Sequence, residues 1–183
     1  MVRLETQRLV LLSSGDVSPE LVMDFFTVNK SHFDPWSSAP PEGFYTLPYW
    51  EQRLSINRDM EDNGTQFVFF VFLKENLSEI VAQVSLSQII RGPFQSCFLG
   101  YMTAEAHCRK GIMREAINEV VSFAFGTLHL HRIEANIIPR NEASIKLIEK
   151  VGFEYEGLAP RYLLINGVWE DHKHYTISNR KME

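Results

Sequence analysis

Arg109, Lys110 and Arg114 crowd the start of a helical pattern that opens after Gly111 and carries Met113, Ala116, Ile117, Val120 and Ala124 at steps of three and four. The N-terminal end of a helix is already positive, and sequences ordinarily place Asp or Glu there. Two readings account for this excess. The basic side chains are solvated, or an anion such as a phosphate or pyrophosphate accepts the free backbone N–H groups of Gly111, Ile112, Met113 and Arg114 and neutralises the charge. The spacing excludes two familiar phosphate loops, because neither G-x-x-x-x-G-K-[ST] nor a strand followed by G-x-G-x-x-G is present. Cys108 sits beside Arg109 and Lys110, where a lowered thiol pKa is expected and an acyl-cysteine is conceivable, yet no convincing base accompanies it. The six histidines show no ligand spacing, so no metal is expected.

The elements that must hold these residues follow from periodicity. Leu4 to Leu12 reads as a strand. A helix opens at Asp16 or Ser18 with Pro19 and carries Leu21, Val22, Phe25 and Phe26, and a second helix spans Tyr49 to Met60. Between them lies an aromatic loop containing Phe33, Trp36, Phe44 and Tyr45. Strands are expected over Gln66 to Leu73, Glu79 to Ile89 and Ser96 to Met102 as an antiparallel meander, then a helix from Gly111 to Leu128 and a strand from Arg132 to Ile138. Asn141 reads as the N-cap of a short helix that runs through Lys150 and is closed by Gly152, and Phe153 starts another strand. Asn166-Gly167 makes a hairpin. The expected architecture is α/β (α+β), one domain over residues 1–183: a mixed, mostly antiparallel central sheet of about seven strands flanked by about four helices.

The chain has 183 residues and a net charge of −5, which disfavours direct nucleic-acid binding and favours cationic partners. Two cysteines provide no disulfide framework. The start Met1-Val2-Arg3-Leu4-Glu5 lacks a signal-peptide pattern, and the longest apolar run, Phe67 to Leu73, falls far short of a bilayer, so a cytoplasmic chain without a membrane anchor is expected.

The segment Cys108-Arg109-Lys110-Gly111-Ile112-Met113 resembles the diphosphate loop Q/R-x-x-G-x-G/A of the acyl-CoA N-acyltransferases of the GNAT superfamily, with Cys108 and Met113 departing from the pattern. Further stretches resemble the RimJ/RimL group, and its RimJ branch most closely. These are Glu5-Thr6-Gln7-Arg8-Leu9, His32-Phe33-Asp34-Pro35-Trp36, Ile90-Arg91-Gly92-Pro93-Phe94, His131 to Asn136, Pro139 to Ser144, Gly152 to Gly157, and Tyr162 to His172. The similarity spans nearly the whole chain. It implies the GNAT fold and direct transfer of acetyl from acetyl-CoA to the α-amine of a protein N-terminus, in particular a ribosomal protein beginning with Ala or Ser. An α-amine suits this chemistry, since its pKa of about 7.7–8.0 leaves a useful neutral fraction near pH 7.

The resemblance also implies roles. Tyr101, Met102, Thr103, Arg109, Lys110, Gly111, Ile112, Met113, Arg114 and Asn141 would contact the cofactor, with a backbone N–H from a bulged strand ending Gly100-Tyr101-Met102 facing the developing oxyanion. Glu156 would be the base and Ser144 the group near the leaving thiolate. Each has a plain rival: a solvated strand carboxylate for Glu156, a first-turn hydroxyl bonding backbone for Ser144. The tyrosine acid of many relatives falls here at Ile148. Phe33, Trp36, Tyr45 and Tyr162 would wall the acceptor groove, although core packing also explains aromatic rings in that loop. The acceptor alternatives are a small amine or amino acid, or none at all if the chain is a silent CoA-binding or ribosome-associated module. Monomer and homodimer both remain open.

Overall fold

The computed structural model describes residues 2–183. In it the chain runs β1 (Arg3–Glu5), β2 (Leu9–Ser13), α1 (Pro19–Val28), α2 (Lys30–Phe33), α3 (Leu47–Asp62), β3 (Phe67–Leu73), β4 (Ala82–Ile90), β5 (Ser96–Thr103), α4 (Ile112–Gly126), β6 (Arg132–Ile137), α5 (Glu142–Val151), β7 (Glu154–Ile165) and β8 (Val168–Ser178). The eight strands form one sheet in the order β1-β2-β3-β4-β5-β6-β8-β7. Every neighbouring pair is antiparallel except β5 and β6, which are parallel.

The continuous apolar run of β3 is explained by burial on both faces. Phe67, Phe69 and Val71 pack under α4 and α5 with Ile117, Val120, Phe123 and Ile148, whereas Val68, Phe70 and Phe72 face α1 and α3 with Phe25, Phe26, Trp50 and Leu54. The meander, the hairpin at Asn166-Gly167 and the Asn141 and Gly152 ends of α5 match the sequence reading.

Three details differ from it. The strand expected over Leu4 to Leu12 is broken at Thr6 to Arg8, where the Thr6 hydroxyl accepts from the Leu9 N–H at 3.0 Å and Glu115 holds both the Thr6 hydroxyl and the Arg8 N–H. That break makes eight strands instead of about seven. The aromatic loop contains the short α2, giving five helices. The bulge expected near Gly100 to Met102 is absent, because β5 keeps one register with β4 from Phe98 to Thr103, and the irregularity lies across the far end of that pair, where Gln88 has φ of 50°.

What positions the site is the parting of β5 from β6. Their pairing covers only Ser96 with Arg132, Cys97 with Ile133 and Phe98 with Glu134, although β5 continues to Thr103 and β6 to Ile137. The Ala104 N–H is directed at Val81 beside β4, at 3.0 Å, so strand alternation turns the Tyr101 and Thr103 N–H groups to the other side, into the gap. Gly100 is required by close approach: a Cβ there would lie 2.9 Å from Ser85 Oγ on the neighbouring strand.

Candidate active site

A cavity of about 840 Å³ opens at this gap and runs along the N-terminal ends of α4 and α5. Gly111, with φ of 76°, occupies the N-cap of α4 in the left-handed region, and no side chain caps the helix. The first-turn N–H groups are thereby left for a ligand, beside Arg109 and Arg114. Lys146 and Lys150, one turn apart on α5, also line the cavity, Lys146 paired with Glu142 at 3.3 Å. This donor set fits the diphosphate and phosphate groups of CoA, and the narrow stretch past Met102 and Thr103 fits its thioester arm.

At the inner end of the cavity Tyr101 and Ser144 meet, hydroxyl to hydroxyl, at 2.5 Å. The Ser144 N–H donates to Asn141 Oδ1 at 3.1 Å, so the N-cap fixes the first turn of α5 that carries the serine. Burial pushes the Tyr101 phenol up to about 12, against a smaller opposing effect of its bond to Ser144, so it is protonated at neutral pH. Ile148 is fully buried in the core and supplies no acid. Tyr101 thus places a protonated phenol against the Ser144 hydroxyl, beyond the cofactor contact expected for it.

Tyr101, Met102, Thr103, Arg109, Gly111, Ile112, Met113, Arg114, Asn141 and Ser144 all line the cavity, as do Phe33 and Trp36. Lys110 does not; its carbonyl accepts from Arg8 Nη1 at 3.1 Å. Sequence reasoning missed Lys146 and Lys150, whose i, i+4 spacing on the expected helix was the available signal. Cys108 lines the cavity with its Sγ 3.6 Å from His32 Nε2. Its thiol pKa is raised, not lowered: partial burial and the Glu105 charge outweigh Arg109. An acyl-cysteine is therefore disfavoured.

Glu156, the expected base, is tightly paired. Arg132 Nη1 and Nη2 donate to its two oxygens at 2.6 Å each, and the Thr176 hydroxyl adds a bond at 2.8 Å. The Arg132 guanidinium, more than any other cause, holds the carboxyl down at about 2. The cavity lining does not include it. Gripped by Arg132 and Thr176, the carboxylate is held ionised and oriented on the sheet.

A second cavity of about 430 Å³ lies on the α1 and α3 face of the sheet and shares Phe33, Ser37 and Met102 with the first. Phe26, Phe44, Tyr45, Tyr49 and Trp50 wall it. Tyr162 lines neither cavity; it stands over His174 on the same face of the sheet, with ring centroids 4.7 Å apart. An arch spans this region. Asn166 Nδ2 donates to the Asp34 carbonyl, Ser38 Oγ to the Leu164 carbonyl at 3.3 Å, and Arg140 Nη2 to the Pro35 carbonyl at 3.2 Å, with the Arg140 guanidinium 5.0 Å from the centre of the Trp36 ring. Among the described residues no helix is long and apolar enough to cross a membrane, and no group of three His, Cys, Asp or Glu side chains is placed to hold a metal.

Comparison with known proteins agrees with this geometry. Residues 16–154 match the acetyltransferase (GNAT) domain family. The chain is 35% identical over 171 residues to the [ribosomal protein uS5]-alanine N-acetyltransferase of Escherichia coli (strain K12), covering 93% of this chain and 88% of that one. The solved structure of the ribosomal-protein-S5-alanine acetyltransferase from Vibrio fischeri superposes with a TM-score of 0.92 at 35% identity, covering 100% of both chains. Mycobacterium smegmatis RimJ in complex with CoA-disulfide gives a TM-score of 0.85 at 26% identity, covering 95% of this chain and 83% of that one. The parted strands, the uncapped basic helix end and these similarities lead to one conclusion: the chain belongs to the GNAT acetyltransferase family and is an N-acetyltransferase with acetyl-CoA as its co-substrate.

Proposed function

We propose that the protein transfers acetyl from acetyl-CoA to the α-amine at the N-terminus of a protein, in particular a ribosomal protein beginning with Ala or Ser. The transfer occurs by direct attack within a ternary complex. The Tyr101 N–H, directed into the gap, faces the developing oxyanion, and the Tyr101 and Ser144 hydroxyls protonate the leaving thiolate. Arg109, Arg114 and the α4 N-terminus hold the diphosphate.

The observation that carries the acceptor class is the lining of the second cavity. Its one acidic side chain, Asp34, is already paired with Lys30, and Arg53 leaves the lining net positive. A polyamine would find no free carboxylate there. A peptide end brings one amine and several carbonyls, and the Trp50 indole N–H, buried and without a partner, is a donor for such a carbonyl. The net charge of −5 also favours basic ribosomal chains.

The test is mass spectrometry of reactions with acetyl-CoA and peptides that begin with Ala or Ser and also carry an internal lysine, alongside pre-acetylated controls and a polyamine. Acetylation confined to the free α-amine supports the assignment. Acetylation of the polyamine alone, or of lysine in the blocked peptide, overturns it.

A further inference from the structure

The sheet face that carries Met102 continues across the gap as a polar cluster. Glu134 and Asn136 of β6 share this face with Thr176 and His174 of β8, opposite which they stand in register. His174 Nδ1 lies 3.2 Å from Glu134 Oε1, and Asn136 Nδ2 donates to the Tyr162 hydroxyl at 3.4 Å. Two atoms of this cluster are buried without a partner: His174 Nε2 and Asn136 Oδ1. Buried acceptors of this kind are costly unless water or a ligand completes them. With Nδ1–H donated to Glu134, Nε2 presents a lone pair, so both orphans are acceptors. One water, with two O–H groups to give, satisfies both.

We propose that His174 Nε2 and Asn136 Oδ1 hold a buried water, and that this water and His174, oriented by Glu134, relay the proton from the acceptor amine. The inference rests on the acetyl-transfer reading above. Asn136 is the first side chain on this face beyond the last β5–β6 pair, so it borders the gap where the amine attacks. In the step, the acceptor ammonium first gives one proton to the water, and a water proton passes to Nε2, which frees the nitrogen lone pair. That lone pair forms the C–N bond at the thioester carbonyl carbon, the C–S bond breaks, and the second nitrogen proton leaves to solvent. The thiolate takes a proton from the Tyr101 and Ser144 pair on the other face. The imidazolium, facing Glu134, then discharges to solvent, from which the hydroxyl pair is recharged. Other ionisable groups around His174 are Arg132 on β6, which bonds Glu134 at 3.2 Å, Glu156 and Tyr162 on β7, and His172 on β8.

The experiment compares wild type, His174→Gln and Asn136→Leu, the second variant expelling the water without touching the imidazole. Two peptide acceptors are used, one with an N-terminal alanine and one with an aminooxy terminus that is unprotonated at neutral pH. Expected for both variants is a loss of kcat of about 10²-fold with the alanine peptide, a flattened pH profile, acetyl-CoA affinity and peptide KM within about twofold, and a much smaller loss with the aminooxy peptide. A crystal structure should show the water within hydrogen-bond distance of both atoms. Equal losses on both acceptors, an unchanged kcat, or an empty position between the two atoms overturns the relay. If wild type acetylates a polyamine and no peptide, the acceptor class is overturned instead, and the same variants assayed on the polyamine decide the relay.

Discussion

Glu156→Gln separates an architectural carboxylate from a catalytic one. The substitution preserves shape and one acceptor oxygen but removes the charge that Arg132 grips with both terminal nitrogens. In the folded chain that guanidinium, helped by the Thr176 hydroxyl, draws the carboxyl from 4.5 to about 2. Taken at face value the change is worth about 3 kcal/mol. The side chain is 43% exposed, however, and water screens the pair, so about 1–2 kcal/mol remains. For a chain of this length the variant should melt about 2–8 °C lower at pH 7. Because the folded value lies below the unfolded one, the stabilisation is fully present above about pH 4.5 and is lost as the pH falls through about 2, so the melting curves of wild type and variant converge in acid. Turnover with acetyl-CoA and an N-terminal peptide should change by less than about threefold, whereas losing a general base costs about 10²–10⁴. A variant that melts like wild type but loses a hundredfold or more in kcat would refute this assignment.

Tyr101→Phe and Ser144→Ala should each lower kcat by about tenfold to a hundredfold while leaving acetyl-CoA affinity unchanged by calorimetry, and the double variant should cost little more, because the two hydroxyls act as one pair. Gly111→Glu places a side chain at φ of 76° and a negative charge at the uncapped end of α4; its acetyl-CoA dissociation constant should rise by more than about tenfold. Cys108→Ala should keep kcat within about twofold, and alkylation of the wild-type thiol near pH 7 should be slow, since burial and Glu105 keep it protonated. Gly100→Ala should destabilise the chain by about 1–3 kcal/mol in urea, with recovery when Ser85 is also made Gly, because the added Cβ would meet Ser85 Oγ at 2.9 Å.

Local chemistry made most of the framework legible. Periodicity in Met113, Ala116, Ile117, Val120 and Ala124 gave α4, Asn141 and Gly152 bounded α5, and the basic excess around Gly111 offered an anion site as one of two readings before any family was considered. What local reasoning could not reach were contacts between distant segments. The break in the first strand depends on Glu115, 109 positions from Thr6. The neutralisation of Glu156 depends on Arg132, a strand and a helix earlier in the chain, so local reasoning placed the carboxylate in β7 without its partner. The pairing of Tyr101 with Ser144 joins two elements across the gap, and Cys108 was read from its basic neighbours alone, whereas burial decides its pKa. Glu134 and His174 lie 40 positions apart and look unremarkable on their separate strands; antiparallel pairing of β6 with β8 brings them together.

The parted strands also bear on mechanics. Three residue pairs, Ser96 to Phe98 with Arg132 to Glu134, together with the His131 and Arg132 N–H groups that donate to the Gln95 carbonyl, join the half-sheet β1 to β5 to the half-sheet β6 to β8. The two sides meet along a seam that side chains bridge: Asn166 and Arg140 reach the Asp34 to Ser38 segment, and one buried core spans both half-sheets. A thioester arm held in the seam would meet the Tyr101 and Thr103 N–H groups that face it. Occupancy of the seam should therefore stiffen the two halves against each other, with amides of β6 and β8 exchanging hydrogen more slowly when acetyl-CoA is present and the whole chain melting at a higher temperature.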